Sequence, residues 1–188
     1  MMFKISIAGG LLAASLSLTS VSGWADQNHP DLPDLFQDLQ AANTAEGAAR
    51  TASEIWRLWI YHDTNDDVNR LMQQGISAME SGDLRLADRL FTDIIALEPA
   101  FAEGWNKRAT VRFQMGRFQA SRQDIAEVLK REERHFGALA GLGLVELHLQ
   151  NPEAALQAYQ AALSIYPKMT AIQSIIQSLE EQLRGQML

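Results

Sequence analysis

From Val68 to Met169 the order of small, apolar and polar positions repeats every 34 residues. A period of that length predicts a stack of helical pairs, each burying one face against its neighbour, and argues against an enzyme core. Small residues recur in register at Gly75, Ala109 and Gly143, and again at Ala87, Ser121 and Ala155, where two helices must approach closely. Large apolar residues recur at Leu71, Trp105 and Leu139 and at Phe91, Ile125 and Tyr159; a further apolar series is Ile94, Val128 and Ala162. Pro99 and Pro167 lie two periods apart, with Glu133 at the position between them. An ordinary bundle supplies no reason for fixed spacing between small residues.

The pattern predicts first helices over residues 68–81, 102–115 and 136–149, and second helices over 84–98, 118–132 and 152–165. Gly82 and Gly116 stand where a left-handed C-cap ends a helix, and Pro152 suits a first helical turn. Over 168–184, Ile172, Ile175, Ile176, Leu179 and Leu183 form an apolar stripe, with Gln173, Gln177, Glu180, Glu181 and Arg184 outside it. That pattern predicts a closing helix for the stack.

At these residues the chain resembles the tetratricopeptide repeat (TPR) family. The third unit carries the motif most fully, in Leu139, Leu142, Gly143, Ala155, Tyr159 and Pro167. The second keeps Trp105 but has Arg108 and Ala109 in place of Leu-Gly. The resemblance is to small exported TPR proteins of Gram-negative bacteria in particular. It implies an all-α fold, an α-solenoid of three TPR hairpins over 68–101, 102–135 and 136–169, with helical caps at 26–67 and 170–188.

The N-terminal cap has its own pattern. Leu35, Phe36 and Leu39 fall at helical spacing after a turn-like run from His29 to Pro33. Asn43 or Thr44 offers an N-cap to a second helix, with Glu46 as in a capping box. That helix ends in an aromatic run containing Ile55, Trp56, Trp59 and Ile60. Its expected role is to cover the open end of the first repeat, because terminal units of a solenoid otherwise expose an apolar face. The alternative makes Trp56 and Trp59 a secondary partner-binding spot.

Residues 1–25 read as a cleavable export signal: Lys4, a short apolar run diluted by Ser and Gly, then Gly23, Trp24 and Ala25 before Asp26. The expected location is the periplasm, with no integral membrane span after cleavage. The chain has no cysteine, which excludes disulfides, thiolate metal sites and thiol catalysis. Its net charge is −7, and residues 26–67 carry nine acids against Arg50 and Arg57. An acidic balance excludes nucleic acid as the partner, since that requires clustered Lys and Arg.

No catalytic set, cofactor site or metal site is legible. His135 and His148 are too far apart on one helix to share a metal. Asp63, Asn65 and Asp67 mimic the opening of a calcium loop, but Val68 stands where glycine should follow and Gln74 where the closing Glu should be.

The family resemblance places ligands on the concave face, along the first helix of each pair. Carried over by position, the partner-binding candidates are Met72, Ile76, Met79, Asn106, Thr110, Phe113, Leu144, Leu147 and His148. Met72, Ile76 and Gly137 replace the polar residues that a carboxylate-gripping subfamily needs, so that activity is excluded. The groove is either open or filled by the chain's own N-terminal helix or terminal cap. The expected function is that of a noncatalytic envelope adaptor binding a peptide or amphipathic helix of another protein, the alternative being a holdase or assembly chaperone for apolar segments. A second copy of the chain is also an admissible partner.

Overall fold

The computed structural model describes residues 26–186, so the expected export signal lies outside the described residues. A single 3-10 turn, Asp26–Asn28, precedes α1 (Leu32–Ala41) and α2 (Ala45–Ile60). Then follow α3 (Asp66–Glu80), α4 (Leu84–Leu97), α5 (Ala102–Gln114) and α6 (Phe118–Arg131). The last three helices are α7 (Phe136–His148), α8 (Pro152–Ile165) and α9 (Thr170–Gln186). The described residues form no strand. Consecutive helices pack together from α3 to α9, as in a TPR-like solenoid.

Side-chain caps set the helix starts. Thr44 Oγ1 accepts from the Gly47 amide, Asn65 Oδ1 from Val68 and Asp83 Oδ1 from Leu86. The acidic run that mimics a calcium loop therefore serves to start α3. Helix ends turn through left-handed residues one period apart: Gly82 at φ 82°, Gly116 at φ 72° and, in place of a third glycine, Gln150 at φ 61°.

In the first and third pairs the glycine of the periodic pattern faces a ring. A Cβ on Gly75 would stand 2.5 Å from Phe91 Cε1, and one on Gly143 would stand 2.6 Å from Tyr159 Cε1. Between them, Ala109 and the smaller Ile125 are both buried in the middle pair. Where the middle pair departs from Leu-Gly, Arg108 grips Asp124 with two bonds of 3.0 and 2.8 Å and donates to Thr92 at 3.1 Å. Arg112 joins Asp124 at 2.8 Å and Asp88 at 3.1 Å. The departure thus replaces apolar packing with a polar network linking α4, α5 and α6.

The aromatic end of α2 does not cover the first helical pair. Leu32, Phe36, Leu39, Ala52, Ile55 and Trp59 share one core with Phe136 at the start of α7 and Tyr166 after α8. The α1–α2 hairpin therefore straps across the edge where the inner helices begin, and only Ile60 reaches the core of the first pair. One feature admits it there: Gly137 leaves room for the Trp56 indole, which any Cβ at that position would strike. At the C-terminal side α9 packs on α8: Ile172, Ile176 and Leu179 are buried there, with Ile175 half-buried beside them.

Candidate functional site

A cavity of about 120 Å³ opens between α5 and α7, with α6 beneath. Its base is Ala109, Ser121 and Ile125, and its walls include Asn106, Thr110, Phe113, Gly137, Ala138, Gly141, Leu144 and Val145. The cavity exists because small residues line both helices: Gly141 has only Ile125 Cδ1 nearby, 3.8 Å from where a Cβ would stand. Ser121 does not offer its hydroxyl proton to the cavity, since it donates to the Ala109 carbonyl at 2.8 Å. The lining is mostly apolar, and its rim presents exposed Thr110 and Leu144, the latter 41% exposed. An apolar hollow with a few polar groups at its edge suits an apolar side chain rather than a reacting substrate.

One end carries an aromatic group. Phe113, Phe118 and His148 meet there, with the His148 ring stacked on Phe118 at 4.5 Å and edge-on to Phe113 at 5.0 Å. The other end is closed by the strap. Trp56 stands against Gly137, and Lys107 Nζ lies 5.8 Å from the Trp56 ring centre.

Beneath that end lies a buried charge. Glu103 Oε2 accepts from Asn106 Nδ2 at 2.9 Å and pairs with His135 Nε2 at 3.1 Å. Its Oε1 faces Lys107 Nζ at 3.2 Å, an ion-pair distance without hydrogen-bond alignment. Complete burial pushes the carboxyl pKa upward, but the His135 hydrogen bond and the Lys107 charge outweigh it and hold it below the usual range. His135 Nδ1 accepts from the Ala138 amide at 3.0 Å and so caps α7. With Nδ1 accepting, the ring proton sits on Nε2 and is donated to Glu103. Glu103 Oε1 is thus held by charge alone, while the rest of the cluster is hydrogen-bonded internally. Among the described residues, no group of three His, Cys, Asp or Glu side chains is placed to hold a metal.

The sequence-derived lane is only partly an open surface. Asn106, Thr110, Phe113 and Leu144 line the cavity, and His148 flanks it. Met72 is 1% exposed and belongs to the core with Val68, Phe91 and Val111. Ile76 and Met79 are half-buried against that same core, and Leu147 against the α8–α9 core. Trp59 is buried and stacks on His135, whereas Trp56 keeps a half-exposed face at the cavity edge. Neither α1 nor α9 lines the cavity. Sequence reasoning missed Gly137, Ala138 and Gly141, whose contribution is the absence of a side chain, and Ser121, Ile125 and Phe118, which lie on a second helix.

This arrangement of paired helices around an inner hollow is that of a TPR solenoid. The tetratricopeptide repeat pattern matches residues 106–170. A TPR repeat-containing protein of Rhizobium etli is 36% identical over 155 residues, spanning 82% of this chain and 75% of its own. The first TPR of Spaghetti bound to an HSP90 peptide superposes with a TM-score of 0.61 at 18% identity, over 63% of this chain and 94% of that one. The crystal structure of MamA superposes with 0.59 at 20% identity, over 78% and 83%. The chain belongs to the tetratricopeptide repeat family.

Proposed function

We propose that this protein is a noncatalytic scaffold that binds another protein by taking an apolar side chain into the α5–α6–α7 cavity. The observation that carries the reading is the cavity itself, an apolar hollow kept empty by Gly137, Ala138 and Gly141 and rimmed by exposed Leu144 and Thr110. A peptide or amphipathic helix presenting one large apolar residue suits that shape, with the Phe113, Phe118 and His148 rings as a second contact. The TPR domain of Spaghetti holds a peptide on the same fold, which supports the class of ligand and says nothing of its sequence. The residues that precede Asp26 read as an export signal, so the partner belongs to the cell envelope, where the scaffold supports assembly or integrity.

The test is site-directed photo-cross-linking in the native host, with the probe at Leu144 or at Tyr61, which is 53% exposed and outside the cavity. One dominant partner captured from Leu144 and not from Tyr61 is the expected result. Equal capture from both sites, or none from Leu144, overturns the cavity reading. Cell fractionation tests the location separately, and recovery of the protein in the cytoplasm would overturn it.

A further inference from the structure

One face of α4 is only partly covered in the fold. Leu86, Leu90 and Leu97 stand on it at helical steps, with Leu86 and Leu90 half-buried at the edge of the α3–α4 core and Leu97 53% exposed. The 34-residue period shows what this face does elsewhere. One and two periods after Leu90 stand Asp124 on α6 and Ala158 on α8, which are 2% and 5% exposed. Asp124 reaches back to α4 through Arg112, which also binds Asp88. In α6 this face is covered by Arg108 and Arg112 of α5, which also reach Thr92 and Asp88 in the preceding helical pair. The pair α3–α4 has none before it, and the α1–α2 hairpin, which could have served, packs on Phe136 and Tyr166 instead.

The two ends of the stack are therefore unequal. At the far end α9 buries its isoleucines and leaves Gln173, Gln177 and Glu181 exposed. Head-to-tail stacking would set leucines against those polar groups, so an open end is matched by another open end. The charges beside the stripe are self-complementary. Arg89 and Asp93 stand one turn apart on one flank, both exposed and neither in an ion pair among the described residues. When two copies of α4 lie antiparallel, Leu86 of each faces Leu97 of the other, and Arg89 of each comes opposite the Asp93 of the other.

We infer that the protein forms a closed two-fold dimer through antiparallel α4 helices, the second copy covering the leucine stripe. The inference is independent of the cavity, which lies on other helices.

The chain's lack of cysteine makes the test direct. The protein is expressed from the full-length gene as Leu90→Cys and, as a control on α9, Gln177→Cys, and each is treated with a short bis-maleimide. A covalent dimer from Leu90→Cys alone is expected, together with a light-scattering mass of twice the chain for the unsubstituted protein. Leu97→Asp should halve that mass with unchanged circular dichroism. Arg89→Asp and Asp93→Arg should each be monomeric and should dimerise when mixed. A monomeric mass for the unsubstituted protein throughout its soluble range overturns the proposal. Equal cross-linking at both positions, or a dimer indifferent to Leu97→Asp, overturns it as well.

Discussion

The indole of Trp59 lies flat on the imidazole of His135, with ring centres 4.1 Å apart and planes 13° from parallel. Trp59 belongs to α2 and His135 caps α7, so this stack, more than any contact between neighbours in sequence, holds the strap to the solenoid. His135 contributes three interactions at once: the stack, the cap on Ala138 and the hydrogen bond to Glu103.

Replacing His135 with Ala is expected to release the strap. The lost cap is worth about 1 kcal/mol and the lost ring contact about 0.5–1.5 kcal/mol, and Glu103 is left buried with one partner fewer. A total of roughly 2–4 kcal/mol follows from these terms. Urea denaturation gives the magnitude, and limited proteolysis between α2 and α3 reports release. A variant that loses stability while the strap stays protected would show that the stack is not the fastening.

The same cluster predicts an acid limb. Burial alone would raise the Glu103 pKa, but His135 and Lys107 reverse the sign and hold it below its ordinary value of 4.5. A carboxyl whose pKa is lower in the folded state stabilises the fold fully above the unfolded value, and that stability is lost as pH falls through the folded pKa. Urea midpoints should therefore hold above about pH 4.5 and decline progressively below it. Glu103→Gln should lower stability at neutral pH and flatten the decline; an unchanged acid limb would assign it to other carboxylates.

How much of this is legible in the sequence depends on whether a residue's neighbour is set by the period. Gly75 with Phe91 and Gly143 with Tyr159 recur in register, so their packing is readable. The destination of α2 is not, because an amphipathic aromatic helix states which face is buried and not what buries it. The hint lay in Gly137, a glycine in a first helical turn that the packing of α7 on α8 does not require. Within the site, helical position put Asn106, Thr110, Phe113 and Leu144 on the inner side, and the structure brings these four to the cavity. Position alone could not show that Val111 of α5 shares a core with Met72 and leaves it no open surface.

Gln150 predicts a stabilising substitution. It occupies the left-handed position that Gly116 and Gly82 fill one and two periods earlier, and a side chain there costs roughly 1–2 kcal/mol. Gln150→Gly removes that strain and gives back about 0.5–1 kcal/mol through the looser unfolded chain. A net gain of up to about 1 kcal/mol is expected, read as a higher denaturation midpoint. Gly82→Ala should move in the opposite direction, and a loss in both would mean that Gln150 earns its place through contacts of its own.

Gly141 separates the cavity's role from its structure. Gly137 and Gly143 are held small by Trp56 and Tyr159, so side chains there disturb packing. At Gly141 the nearest group is Ile125 Cδ1, at an ordinary contact distance of 3.8 Å, and the backbone is helical. Gly141→Ala should stabilise α7 by about 0.5–1 kcal/mol through reduced backbone entropy in the unfolded chain. Gly141→Leu should go further and fill the hollow with the chain's own side chain while leaving the helices in place. If the cavity receives a partner residue, this variant melts no lower than the parent and loses the cross-link at Leu144. If the cross-link persists beside a filled cavity, the partner binds the rim or the Phe113 and Phe118 rings, and the hollow between α5 and α7 is only a gap in packing.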